Sequence, residues 1–359
     1  MPQKTGLFDQ HKSMNAKIID FYSWQLPLYY STPLKEHNAV RQACGLFDTG
    51  HMGEIQVEGR DAEKLLQLLL IRDISGMKPG QMKLGVMCNA QGGILDDLTV
   101  YKFSEEKFWV VVNSAPYERD FGWVQGNARS FEVRVSGLRE QTSKLDLQGP
   151  KSGLVLERLG ADLNELKYYT FSQAEINGIE CIASRSGYTG EKGFELYFMG
   201  DKAPEMWNAI LEAGAEFGIE PCGLASRDTL RLEAAMMLYG QDIDEKHSVL
   251  ECPYEMLVAW EKQFIGKEAL ERQRESNIDK KLVGFQLLDR GIARHGHKLL
   301  DNGKEIGVVT TGNFSPTLKK SIGLGYIGVE FSKPGSEFEI DIRGKKARAK
   351  AVEMPFYRR

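Results

Sequence analysis

Gly92-Gly93-Ile94-Leu95-Asp96-Asp97-Leu98-Thr99-Val100-Tyr101 sets two adjacent carboxylates between apolar neighbours, directly after a pair of glycines. An unpaired ion loses several kcal/mol of hydration on burial, so two carboxylates here need a structural or chemical reason. In an extended segment neighbouring side chains point to opposite faces, and at most one of the two can look into a given cleft. The glycines allow a sharp turn or the close approach of a ligand. Alone, the segment fits a β-turn whose carboxylates cap their own backbone. The segments that accompany it further along weigh for a site.

The chain has 359 residues, long for one core, and two or three domains are expected. Its 46 basic and 50 acidic residues leave a net charge of −4, which argues against a broad nucleic-acid-binding surface. No apolar run approaches membrane-spanning length, and Met1-Pro2-Gln3-Lys4 lacks the apolar core of a signal peptide. Cys44, Cys88, Cys181, Cys222 and Cys252 are scattered without a C-x-x-C pair, which suits a reducing compartment and argues against a disulfide framework or structural zinc. His295 and His297 sit in a glycine-rich turn without Cys or carboxylate ligands nearby and read as surface residues. A soluble intracellular protein without a metal centre is the expectation.

Strands and helices are mixed rather than strictly alternating. Phe131 to Val135 alternates as a half-exposed strand does, and Phe108 to Val112 reads as a strand covered on both faces. Helical spacing runs through Ala62 to Leu70, Met206 to Phe217 and Leu224 to Leu238, the last between Gly223 and Gly240. The charged stretch Glu271 to Lys281 reads as helix plus linker, and a domain boundary is placed near residue 275. From there the chain is rich in short strands and glycine turns. Phe338, Ile340 and Ile342 alternate with charged residues, which predicts a small β-barrel or sandwich.

Three further segments carry potential chemistry. Ser186-Gly187-Tyr188-Thr189-Gly190-Glu191-Lys192-Gly193-Phe194-Glu195 is a glycine loop without G-K-[ST], so a phosphate cradle is disfavoured. A carboxylate accepts two parallel N–H bonds, so Glu195 suits an amidine-like edge such as a pterin or purine. A hairpin with solvated glutamates is the plain alternative. Arg227 and Arg231 share one face of the next helix, and Asp228 could pair with Arg231. Ala234 to Leu238 follow at once, so these charges need buried partners. Thr310 to Lys320 reads as a long, specific turn.

Asp48-Thr49-Gly50-His51-Met52-Gly53, Gly92 to Tyr101, Val111-Val112-Asn113, Leu147-Gln148-Gly149-Pro150, Ser186 to Glu195, Arg227 to Gly240, Thr310 to Lys320 and Met354-Pro355-Phe356-Tyr357 stand in one order. In that order, from Leu7 to Tyr357, the chain resembles the glycine-cleavage T-proteins, the tetrahydrofolate-dependent aminomethyltransferases. It departs from them at Gly50 and Thr311, where the family has Ser, and at Ser114-Ala115-Pro116-Tyr117, where an Asn-rich run is usual.

The resemblance implies an α+β fold: two intertwined α+β domains over residues 1–274 and a C-terminal β-barrel over 275–359, arranged as a cloverleaf around a folate channel. It implies tetrahydrofolate as co-substrate and, as partner, H-protein, whose dihydrolipoyl arm carries the aminomethyl group. By the same carry-over Asp96 is the catalytic carboxylate, with Asp97 structural and directed away from the cleft. Glu195 holds the pterin edge, Arg227 is a ligand-binding arginine, Tyr188, Asn113, Tyr239 and Tyr357 complete the pocket, and Met52 packs near the folate. Rival readings on the same fold are folate-dependent demethylases and non-catalytic folate proteins of iron–sulfur maintenance. Arg185-Ser186-Gly187-Tyr188 has no cysteine where the latter carry one, and no G-x-G-x-x-G points to a fused flavin domain. The bacterial cytosol is the expected location, with a processed mitochondrial form as the alternative.

Overall fold

The computed structural model describes residues 2–359. They divide into two compact units: residues up to Leu66 with Ile74–Leu84 and Leu98–Asp228, and Gln67–Asp73 with Gly85–Asp97 and Thr229–Arg359. The fold is mixed α+β.

In the first unit a six-stranded sheet runs in the order Phe171–Ile176, Ile179–Ser184, Gly193–Met199, Thr142–Gln148, Cys44–Asp48 and Ile219–Cys222. One face carries Leu46, Leu145, Leu147, Ala183, Phe194 and Leu196 into the main core. Helices Ser152–Arg158 and Ala203–Gly214 cover it with Val155, Leu156, Met206, Trp207 and Ile210. A five-stranded sheet, Met82–Cys88, Ile94–Ser104, Lys107–Val112, Gly53–Glu58 and Arg134–Gly137, contributes Tyr101 and Val111 to a second cluster with Phe171 and Tyr197. The expected strand at Phe131 to Val135 therefore starts later, at Arg134. The N-terminal segment is tied down by Asp48, which accepts from Thr5 Oγ1 at 2.5 Å and lies 2.8 Å from His11 Nε2. Burial opposes the charge on Asp48, yet the His11 and Thr5 bonds hold its pKa below the ordinary carboxylate value.

The glycine loop after Ser184 is shaped by a side chain of the neighbouring strand. Gln148 Nε2 donates to Ser186 O at 3.1 Å and Phe194 O at 3.4 Å, while Thr189 Oγ1 donates to Gln148 Oε1 at 2.9 Å. A Cβ on Gly187 would lie 2.0 Å from Gln148 Oε1, and one on Gly193 2.3 Å from it. Two of the loop's glycines thus make room for a buried amide. Glu191 is held by Arg41, whose Nη1 also donates to Thr189 O at 2.7 Å.

In the second unit six strands close a barrel in the order Lys280–Leu287, Lys320–Gly328, Lys304–Ser315, Lys298–Asp301, Glu337–Ile342 and Lys345–Val352. Phe338 and Ile340 point into its core, as the alternation predicts. Residue 275, where a boundary was expected, ends helix Lys267–Glu275 before the first barrel strand, and the second compact unit already takes in the chain from Thr229 onward. All five cysteines are free and buried. Among the described residues no helix is long and apolar enough to cross a membrane.

The helix expected to reach Leu238 spans only Leu224–Glu233. Ala235 takes φ +54°, Met236 N donates to Arg231 O, and Ala235 N to Leu232 O. That is the Schellman stop, with Ala in the left-handed position glycine usually fills. The side chains beyond it supply the reason. Arg231, paired in expectation with Asp228, instead donates to Asp242 Oδ2 at 2.5 Å, Met236 O at 3.1 Å and Thr311 Oγ1 at 3.0 Å. Asp242 also accepts from Thr310 and Thr311 at 2.6 Å each. Glu233 accepts from Ser315 Oγ at 2.5 Å and Thr317 N at 3.0 Å, so the long turn at Thr310 to Lys320 is pinned to the helix end.

Breaking a buried pair strands its partner's charge, so Arg231→Met is expected to lower unfolding free energy by about 3–5 kcal/mol in denaturant titration. Gly193→Ala displaces Gln148 from its bonds and is expected to lower it by about 2 kcal/mol, with the same titration as check.

Candidate functional site

The strand Thr142–Gln148 alternates Leu145 and Leu147, which enter the core, with Lys144, Asp146 and Gln148 on the opposite face. All three polar residues are buried. Antiparallel register sets Asp146 opposite Glu195 and Lys144 opposite Tyr197. Lys144 Nζ lies 3.1 Å from Asp146 and donates to Glu195 Oε1. Arg227 Nη1 donates to Asp146 Oδ2 at 2.7 Å, and Thr49 Oγ1 donates to Oδ1 at 2.9 Å. The result is a chain of alternating charge, Glu195–Lys144–Asp146–Arg227, with no net charge.

Its electrostatics follow from burial set against neighbours. Burial pushes the Lys144 amine down, but Asp146 and Glu195 outweigh it and hold the pKa above the ordinary lysine value. Burial pushes Asp146 up, and Lys144 with Arg227 brings it below the usual carboxylate range. His51, buried beside this chain, is driven down to about 4 by desolvation, with Arg227 and Lys144 adding to the effect and Asp48 opposing it. Its imidazole is neutral at physiological pH.

Glu195 is reached from its other side by a run of hydroxyls. Ser186 Oγ donates to Glu195 Oε2 and lies 2.8 Å from Ser184 Oγ, which is 3.1 Å from the Tyr101 hydroxyl. Tyr101 in turn lies 2.9 Å from the Tyr197 hydroxyl. Each carboxylate oxygen of Glu195 therefore takes one protein donor. A carboxylate offers about four lone-pair sites, so one acceptor direction per oxygen remains for a ligand with two parallel N–H groups.

Of the residues picked out in the sequence, four come together here. Glu195 and Arg227 sit at the two ends of the charge chain. Met52 Sδ lies 3.6 Å from Lys144 Nζ, and the Arg227 guanidinium sits 5.1 Å over the Tyr188 ring. Asn113 follows strand Lys107–Val112 in the same unit and is half-buried. Lys144, Asp146, Ser186, Tyr101 and Tyr197 were not picked out. The signal was the strict alternation of Lys144 to Gln148, which on sequence alone reads as a strand with one solvated face.

Asp96, Tyr239 and Tyr357 belong to the second unit. Gly93 pairs with Ser248, and a Cβ on it would lie 2.1 Å from Glu245 O, so its smallness admits protein backbone. Tyr239 is buried and its hydroxyl donates to Ile94 O at 3.4 Å, while Tyr357 N donates to Glu233 O at 2.8 Å. The carboxylate pair lies in the extended strand Ile94–Ser104, on opposite faces. Asp96 is 0% exposed, whereas Asp97 is half-buried and its Oδ2 accepts from the Tyr254 hydroxyl at 2.6 Å.

Residues 7–262 match the GCVT N-terminal domain, and residues 280–358 match the glycine cleavage T-protein C-terminal barrel domain. The chain is 46% identical to an aminomethyltransferase of Thermoanaerobacter pseudethanolicus over 99% of its own length and 98% of the relative's. It is 44% identical to an aminomethyltransferase of Desulfitobacterium hafniense, with the same coverage. Its fold superposes with a TM-score of 0.94 on the glycine cleavage system aminomethyltransferase T of Bartonella henselae, at 34% identity and over 99% of this chain and 98% of that one. The chain belongs to the glycine-cleavage T-protein family of aminomethyltransferases.

Proposed function

We propose that this chain releases ammonia from an aminomethyl group on the dihydrolipoyl arm of H-protein and passes the methylene carbon to tetrahydrofolate, giving 5,10-methylenetetrahydrofolate. The bacterial relatives favour the cytosol as its location. The observation that carries the reading is Glu195, held between Lys144 and Ser186 with one acceptor direction left on each oxygen. That arrangement suits the amide and amine edge of a pterin. Arg227, stacked on Tyr188 and anchored by Asp146, supplies a fixed cation for a polar group of the same ligand. Met52, Asn113, Tyr239 and Tyr357 are proposed as further walls of the folate site.

Loss of ammonia leaves an electron-poor methylene carbon that a folate amine captures. A carboxylate beside it orients the amine, accepts its proton and offsets developing positive charge. That role is proposed for Asp96, buried in the strand Ile94–Ser104, with Asp97 structural. Most of the acceleration comes from holding folate and lipoyl arm in line.

Glu195→Gln turns one acceptor oxygen into a donor that opposes the pterin N–H, and folate affinity by calorimetry is expected to fall about 10- to 100-fold. An unchanged affinity removes Glu195 from the site. Turnover of aminomethylated, lipoylated H-protein is expected to drop about 100-fold or more in Asp96→Asn, with folate binding retained. The opposite order, with Asp97→Asn inactive and stably folded while Asp96→Asn works normally, moves the role to Asp97.

A further inference from the structure

We infer that Tyr101 is a positioning residue for Glu195, donating into a one-way relay of hydroxyl protons that ends on the carboxylate. The inference rests on the reading of Glu195 as the group that holds the pterin edge. Four hydroxyls form the relay, those of Tyr197, Tyr101, Ser184 and Ser186, and all four residues are buried in the first unit.

Counting protons gives the direction, because each hydroxyl has one to donate. Ser186 Oγ spends its own on Glu195 Oε2. The 2.8 Å contact between Ser184 and Ser186 needs a proton between its two oxygens, and Ser184 must supply it. Ser184 then accepts from Tyr101 at 3.1 Å, and Tyr101, its proton committed, accepts from Tyr197 at 2.9 Å. The competing acceptor for Ser184 is Glu195 O, at 3.4 Å the longest of these contacts. With that bond made instead, Ser184 and Ser186 would face each other across 2.8 Å with lone pairs alone.

The phenols suit the head of such a relay. Burial, with Glu195 adding to it, pushes Tyr101 and Tyr197 well above the ordinary tyrosine value, so both keep their protons. The scaffold holds the serines in place. Ser184 stands opposite Glu195 in the ladder, and Gln148 Nε2 donates to Ser186 O at 3.1 Å. Tyr101 packs with Phe171 and Tyr197 in one apolar cluster. Donors in series polarise one another, so the last bond of the relay is strengthened and the carboxylate is held in one rotamer. Tyr101 therefore acts on Glu195 through two serines.

The test is a double-mutant cycle between Tyr101→Phe and Glu195→Gln in the full chain. It is read as tetrahydrofolate affinity by calorimetry, and as KM and kcat with aminomethylated, lipoylated H-protein. Tyr101→Phe is expected to weaken folate binding about 3- to 10-fold and to raise its KM alike, with kcat within about twofold of the parent. The loss is expected to shrink below about twofold when Glu195 is already Gln, because a relay acts only through that carboxylate. A packing role would give the same loss in both backgrounds. Tyr197→Phe removes only the first donor and is expected to act in the same direction more weakly, and it takes over the cycle if Tyr101→Phe does not fold. Unchanged affinity in the folded phenol variants, or losses that simply add to that of Glu195→Gln, overturn the relay and leave the reading of Glu195 standing. Unchanged affinity in Glu195→Gln overturns both.

Discussion

Lys144 sits between Asp146 and Glu195 on the inward polar face of one central strand, and the arrangement of the first unit follows from keeping that ammonium charged. A buried lysine surrenders its proton unless opposite charges lie within a few ångströms. Two carboxylates supply them, one two residues along the same strand and one diagonally across the ladder. Each then needs partners of its own, which brings in Arg227 and Thr49 at one end and Ser186 at the other. The ladder register is in this sense a charge register. A one-residue slip would turn the whole set toward the apolar core.

The second unit meets the same requirement with a different fixture. Helix Leu224–Glu233 stops early because its last charges are engaged by side chains beyond it. Arg231 is enclosed by Asp242 and Thr311, and Glu233 by Ser315 and Thr317. These bonds explain why Ala235 accepts a left-handed backbone that costs a non-glycine residue about 1 kcal/mol or more. Propensity and punctuation favoured a longer helix, and a buried ionic network decided otherwise.

The two families of carboxylate answer different demands. Glu195 is held by Lys144 and Ser186, which suits the recognition of a neutral donor edge. Asp97 is half-buried, and its Oδ2 accepts from the Tyr254 hydroxyl. Asp96, on the opposite face of the strand, is enclosed by protein. Adjacent residues in a strand see different surroundings because the pleat sends their side chains to opposite faces.

Much of this was legible in the chain. The barrel declared itself through the alternation around Phe338 and Ile340, the helices at Ala62 and Met206 through their spacing, and the family through motif order from Leu7 to Tyr357. Glu195 and Arg227 stood out as charges in places that needed partners. The identity of those partners was not legible: nothing local singled out Lys144 and Asp146, and Gly187 and Gly193 read only as part of a glycine loop. Which member of the Asp96–Asp97 pair keeps access, and that Arg231 turns to Asp242 rather than Asp228, also came only with the fold. Local sequence determines periodicity, turns and the presence of charge. Burial, ladder register and the pairing of distant charges arise when segments about a hundred residues apart meet, and tertiary structure alone decides them.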